Sequence, residues 1–320
     1  MGHEFNDSPV LAKITALRPR NSAGLIHSFA AFGLLMGGLW LAHAGNRWAW
    51  LAGQMLLAVA FLQAFVLLHE AGHGSLFSSR RLNRVVGHLA GFVALIPFWS
   101  WQRIHHRHHR YTGWQDLDAT TASLVPRPLG DAERYLVNFA WAAWLPLFVL
   151  SYRIQNYWHL PRVERYLQHP RDKFSVRINL AALTAGYAAL LWYFGPKEVL
   201  GAVWLGLLLS FMIQELLILS QHTHVPQNVS DGRPVRLFPP VEQGQFTRSL
   251  RLPRWLSAFL LHFDAHELHH MYPSVPGYRL REIPVESGNE VSWWRWVIAA
   301  KRLPATDFFF SNWNNTGVRL

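Results

Sequence analysis

Eighteen histidines and no cysteine bound the chemistry open to this 320-residue chain. Without thiols, disulfides, thiolate zinc sites, iron–sulfur clusters and cysteine nucleophiles are excluded, and imidazole remains as the main metal ligand. Eleven of the histidines fall in four short runs: HEAGH at 69–73, HHRHH at 105–109, QHTH at 221–224 and HELHH at 266–270. Residues three and four apart share one face of a helix, so His69 and His73 can aim two imidazoles at one point. His105, His108 and His109 repeat that spacing, and His266, His269 and His270 place three neighbours around one turn. Such spacing chelates metal. Tetrahedral zinc takes four ligands and catalytic zinc only three from protein, so about nine imidazoles imply two ions. Imidazole suits Zn, Cu, Fe and Ni alike, and ligand type alone does not name the metal. His3, His27, His43, His88, His159, His169 and His262 lack partners at ligand spacing and read as structural, although His262 lies one turn before His266.

The elements that must position these runs are membrane helices. The chain is 51% hydrophobic and only 15% charged, with 16 Trp and 20 Phe, too apolar for two soluble domains. Its net charge of +11 could suit nucleic acid, but basic residues beside aromatic belts are membrane chemistry. Four windows almost free of charge predict spans at about 24–43, 48–69, 178–196 and 199–221, the last broken only by Glu215. Two further windows, 85–102 and 135–152, contain Pro97 and Pro146 and are crowded with Trp and Phe, so they read as interfacial or re-entrant. With four crossings the outer loops hold only Arg47 and Lys197, while the other 28 Lys and Arg share one side with both termini. By the positive-inside rule that side is the cytoplasm. HEAGH then ends the second span and QHTH the fourth, and the other two runs follow on the same face. No cleavable signal peptide is apparent, because the first apolar stretch starts only after Lys13, Arg18 and Arg20 and is too long for an h-region. Trp293, Trp294 and Trp296 beside Arg295, Lys301 and Arg302 suit a helix at headgroup level or a packed cytosolic helix equally. With no repeat or linker, the expectation is a single all-α membrane domain over 1–320, with four transmembrane helices and a helical cytoplasmic cap carrying the metal site.

Neutral imidazoles leave metal charge uncompensated, so carboxylates should orient their ring N–H groups. Glu70, Asp116, Asp118, Asp264 and Glu267 are candidates. Glu215 is another, since an intramembrane carboxylate is costly and it lies two turns before His222; it reads as a group near the metals or substrate, or as one held by a buried hydrogen bond to a neighbouring helix.

These residues resemble the integral-membrane fatty acyl desaturases and their hydroxylase relatives. HEAGHGSLF at 69–77 resembles the first histidine box of that family, WQRIHHRHH at 101–109 the second, and HELHHMYPSVPGY at 266–278 the third. QHTH, followed by Val225 and Pro226, resembles the additional histidine site after the last span, and the similarity covers roughly residues 50–283. The resemblance implies a di-iron centre fed by dioxygen and two electrons, which removes hydrogen from an unactivated carbon of a lipid acyl chain. It implies as ligands His69 and His73, then His105, His108 and His109, then His266, His269 and His270. The ninth is His222 or His224; His222 is favoured because it directly follows the helix. His106 occupies a variable position and is left out.

Desaturation is the leading expectation. Related di-iron enzymes hydroxylate, ketolate or decarboxylate to a terminal alkene, because the same carbon radical can lose a second hydrogen or be captured. HEAGH also fits the H-E-x-x-H zinc protease signature, but that reading leaves the second box idle. A His-rich metal transporter is weakened because the ligands gather at one face rather than along a mid-bilayer path. The chain has no Cys cluster, no HPGG segment and no G-x-G-x-x-G after a strand-like run, so electrons should come from a separate ferredoxin or cytochrome b5. Docking of such a donor on the basic cytoplasmic face and a role of those charges in topology and anionic-lipid contact alone fit the sequence equally. The membrane is then the bacterial inner membrane or the endoplasmic reticulum.

Overall fold

The computed structural model describes residues 9–311, 313, 317, 318 and 320; His3 lies outside the described residues. In chain order the helices are α1 (Pro9–Thr15), α2 (Asn21–Ala42), α3 (Arg47–His73), α4 (Arg80–Val93), α5 (Phe98–Tyr111), α6 (Asp131–Ala142), α7 (Leu147–Arg153), α8 (Leu160–Arg165), α9 (Pro170–Phe194), α10 (Pro196–His222), α11 (Arg254–Phe259), α12 (His266–Met271), α13 (Trp293–Arg302) and α14 (Ala305–Phe310). Four of them, α2, α3, α9 and α10, are long and apolar enough to cross a membrane.

The centre of the bundle is the pair α3 and α10. Asn46 opens α3 by accepting the Trp48 N–H, and Gly74, in the left-handed region at φ 73°, ends it directly after His73. The two helices are tied inside the membrane by Gln54, whose amide donates to Ala202 O at 2.7 Å and whose Oε1 accepts from Gly206 N at 2.8 Å. Helices α2 and α9 leave most of their surface outward, as lipid-facing helices do. Each of α3 and α10 has 27 residues, roughly 40 Å of rise. Arg47 and Lys197 therefore stand at one end of the bundle, and His73 and His222 at the other. Helix α9 starts eight residues before the expected span, because its charged first two turns remain helical. There Asp172 pairs with Arg103 of α5 at 2.7 Å.

The two Pro-containing windows do not run straight. Helices α4 and α5 meet at 103° and α6 and α7 at 114°, with Leu95 (φ 57°) and Trp144 (φ 59°) in left-handed conformation just before Pro97 and Pro146. The first bend turns α5, with its histidines, back beneath the end of α3.

A small parallel ladder, Ser249–Arg251 (β1) with Glu290–Ser292 (β2), sits within the otherwise helical fold. It joins segments almost forty residues apart, a pairing that three-residue strands cannot signal by periodicity. Helix α13 buries Trp296, Val297 and Ala300 and exposes Trp294 and Ile298, so it is packed on one face and apolar on the other.

Candidate metal centre

Four elements deliver imidazoles to one place: the last turn of α3, the middle of α5, the end of α10 and the whole of α12. His69, His73, His105 and His269 form one group and His108, His222, His266 and His270 a second, with ligand atoms in each within 4.8 Å of one another. His109 lies between them. Its Nε2 is 3.1 Å from both His105 Nε2 and His269 Nε2, and its ring stacks on His270 at 4.2 Å. His222 Nε2 is 2.8 Å from His266 Nε2, whereas His224 turns away, 3.1 Å from Asp307 O and stacked on Phe308. His106 is exposed. Outside the two groups, His27 stacks on Tyr278, His88 packs against Phe98, and His262 bonds Ser257.

Whether this set suits a metal is decided by its protons. His108 Nδ1 is 2.6 Å from Asp118 Oδ2 and must donate to that carboxylate. Gln243 gives its amide N–H groups to His109 O at 2.7 Å and Phe238 O at 3.1 Å, so the atom 3.1 Å from His270 Nδ1 is its carbonyl oxygen. Both rings thus carry hydrogen on Nδ1, and their Nε2 lone pairs face each other at 3.2 Å. His270 Nε2 is also 3.0 Å from His266 Nε2. One shared proton would satisfy one such contact; one cation satisfies all four nitrogens. Two imidazole nitrogens at right angles on an ion at ~2.1 Å would stand about 3.0 Å apart. The buried Nε2 atoms of His69 and His73 have no hydrogen-bond partner. Burial, reinforced by mutual repulsion, holds His105, His109, His266, His269 and His270 well below the usual histidine range, which keeps these rings neutral. The donor set fits two cations.

Of the six carboxylates the sequence offered, two touch histidines of the site. Glu70 Oε1 faces His69 Nδ1 at 3.1 Å, while its Oε2 accepts Ser75 Oγ at 2.9 Å and Gly277 N at 2.7 Å. Asp118 holds His108. Burial alone would raise the Asp118 carboxyl, but His108 and the Thr120 N–H outweigh it and keep it below its ordinary value.

The other four serve the scaffold. Asp116 accepts from Ser230, Asp264 from Ser257 and Arg281, and Glu267 from Ser287 and Asn289. Glu215 accepts Val149 N at 3.1 Å, because its face of α10 is turned to the start of α7 rather than to the histidines. Sequence reasoning missed Gln243, Thr112 and Thr120, whose hydroxyls lie 3.4 Å from His270 Nδ1 and 3.0 Å from His108 Nδ1. Polar residues in irregular segments carry no spacing that would single them out.

The first run needs glycine at its fourth position. A Cβ on Gly72 would stand 2.1 Å from the Trp101 ring, which stacks on His105 at 4.3 Å.

A small cavity of about 50 Å³ opens onto both groups. His69 and His105 of the first and His108, His222 and His266 of the second line it, with Phe65, Leu124, Phe148, Ile218, Leu219 and Phe263 as apolar wall.

The family model described as fatty acid desaturase matches residues 45–289, which contain all four runs. The chain belongs to the fatty acid desaturase family. Among relatives of this desaturase-family chain, the sn-1 oleoyl-lipid 12-desaturase of Picosynechococcus is 26% identical over 242 residues, covering 71% of this chain and 67% of that protein. The fatty acid desaturase of Bacillus subtilis is 26% identical over 239 residues, covering 70% and 64%. A chloroplastic temperature-sensitive sn-2 acyl-lipid omega-3 desaturase (ferredoxin) of Arabidopsis thaliana is 25% identical over 251 residues, covering 74% and 56%. The chain thus spans between 56% and 67% of the length of these three relatives. Family membership sets aside the zinc protease and transporter readings. Glu70, buried and engaged by three partners, is also badly placed to activate a water.

Proposed function

We propose that this integral membrane protein desaturates a lipid acyl chain at two irons, held by His69, His73, His105, His109 and His269 and by His108, His222, His266 and His270. The observation that carries the reading is the pair of lone-pair contacts at His270 Nε2, 3.2 Å to His108 and 3.0 Å to His266, beside an apolar cleft that touches both groups. Bound iron would supply the activation of dioxygen: one O2, two electrons and two protons, with the two hydrogens taken from a CH2–CH2 pair, balance to one alkene and two waters.

The residues of the chain have separable tasks in this reading. Asp118, Glu70 and Gln243 fix which ring nitrogen carries hydrogen and so which lone pair faces inward. Phe65, Leu219 and Phe263 exclude water around the acyl chain, which protects a reactive centre from side reactions. The cleft wall holds the target carbons beside both groups, and that placement decides between loss of a second hydrogen and capture as an alcohol.

We assign the histidine end of the bundle to the cytoplasmic side of the bacterial inner membrane or the endoplasmic reticulum, with both termini there, because 28 of the 30 Lys and Arg fall on that side. Electrons come from a separate ferredoxin or cytochrome b5. A relative whose name includes ferredoxin supports the first of these.

Incubating the purified, iron-loaded protein with reductase, ferredoxin, dioxygen and labelled acyl lipids tests the reading. The expected product is an alkene of unchanged chain length; an alcohol, a ketone or a shortened terminal alkene would overturn it.

A further inference from the structure

Helix α10 ends in the membrane-proximal layer with its last carbonyls beyond the reach of intrahelical donors. Exposed helices give those groups to water. Here residues 219–221 are buried, and one side chain substitutes. Arg248, only 2% exposed, donates Nη1–H to Ser220 O at 2.8 Å and to Thr223 O at 2.9 Å, and Nη2–H to His224 O at 2.8 Å. Its backbone N–H reaches Gln221 O at 2.9 Å. One residue therefore holds the carbonyls of positions 220, 221, 223 and 224, and the residue at the centre of that set is His222.

The same segment is tied to the third histidine run. Ser249 Oγ accepts the Glu267 N–H in the first turn of α12 at 3.0 Å, and Leu250 N donates to Asp264 O at 2.9 Å. His222 and His266, from helices 44 residues apart in sequence, meet at 2.8 Å across this bridge. Burial pushes the Arg248 guanidinium down to about 10, so it is still a cation at neutral pH, where it also suits the negative end of α10. A lysine could supply charge but not a planar fork able to reach three carbonyls.

We infer that Arg248 is the positioning residue of the second metal group: by clamping the end of α10 it sets where the His222 ring stands relative to His266 and His270. This rests on the reading of both groups as metal sites, and it predicts an asymmetric defect. Arg248→Met should spare the first group, whose ligands come from α3, α5 and the far side of α12, and impair the second.

Metal-free wild-type, Arg248→Met and Arg248→Lys proteins would be reconstituted anaerobically with excess 57Fe(II) and desalted. Iron per chain and Mössbauer spectra are then read beside far-UV circular dichroism. Wild-type protein is expected to retain two irons and Arg248→Met close to one, with helix content unchanged and one of two iron signals lost. Arg248→Lys should recover part of the second signal. Two irons with an unaltered spectrum in Arg248→Met would overturn the inference, as would parallel loss of both irons and helix content in both variants. Failure of the wild-type protein to retain two irons would instead overturn the metal-site reading beneath it.

Discussion

The Nε2 atoms of His108 and His270 stand 3.2 Å apart, while Nδ1 of His108 donates to Asp118 and Nδ1 of His270 to Gln243. Two nitrogens with their protons committed elsewhere approach this closely only around a positive charge. That relationship, between a residue of α5 and one 162 positions later on α12, turns a set of spaced histidines into a binding site with a direction.

Asp118 is the most sensitive point in this arrangement, being 3% exposed at its side chain and bound to a ligand ring. Asp118→Asn keeps the shape and removes the charge that fixes the His108 tautomer. Affinity at the second group should fall about 10- to 100-fold, the usual cost of losing such a partner. Titration of the metal-free protein with Co(II), followed by absorption, would register one weakened site out of two; two unaltered sites would contradict the role.

Gly72 should resist substitution for a steric reason. In Gly72→Ala the new methyl group falls 2.1 Å from the Trp101 ring, which packs against His69, His73 and His105. Overpacking of this kind costs about 1–3 kcal/mol, so thermal unfolding in detergent should move to lower temperature and turnover should fall more than 10-fold. Unchanged melting and turnover would show that Trp101 has room to move.

The two histidines after α10 should behave oppositely. His222→Ala removes a nitrogen 2.8 Å from His266 Nε2 and should cost one metal per chain, while His224→Ala loses a contact to Asp307 O and should retain both. Metal counting by mass spectrometry on the two variants checks this, and equal metal content in the two would refute the assignment.

The cleft makes a separate prediction. Ile218 lines it from α10 beside Leu219 without entering either histidine group. Ile218→Trp should fill the space and lower turnover of a long acyl lipid at least 10-fold with both irons retained. Full turnover in this variant would mean the acyl chain runs elsewhere.

The sequence carried the spans and the clustering of the histidines because both are periodic or compositional: apolar windows near ~20 residues and imidazoles at helical spacing. The proposed orientation of the bundle ends rests on Arg47 and Lys197 being the basic residues of the two short loops at the end of the bundle away from the histidines. What the sequence did not carry depends on side chains meeting across irregular structure. Gln243 on His270, Thr120 on His108 and the clamp by Arg248 come from segments with no repeat to mark them. Glu215 was left between two readings, and the hydrogen bond to a neighbouring helix is the one its contacts favour. Its helix position pointed at the metal end, but the burial of a carboxylate can equally be satisfied by one backbone N–H, here that of Val149.

The most direct test is the iron content of protein produced in iron-replete cells, measured for the wild type and for the double variant His108→Ala/His270→Ala. Two irons per chain in the former and one in the latter are predicted. A wild-type protein carrying a single metal or none, or a double variant that still holds two, would contradict the account.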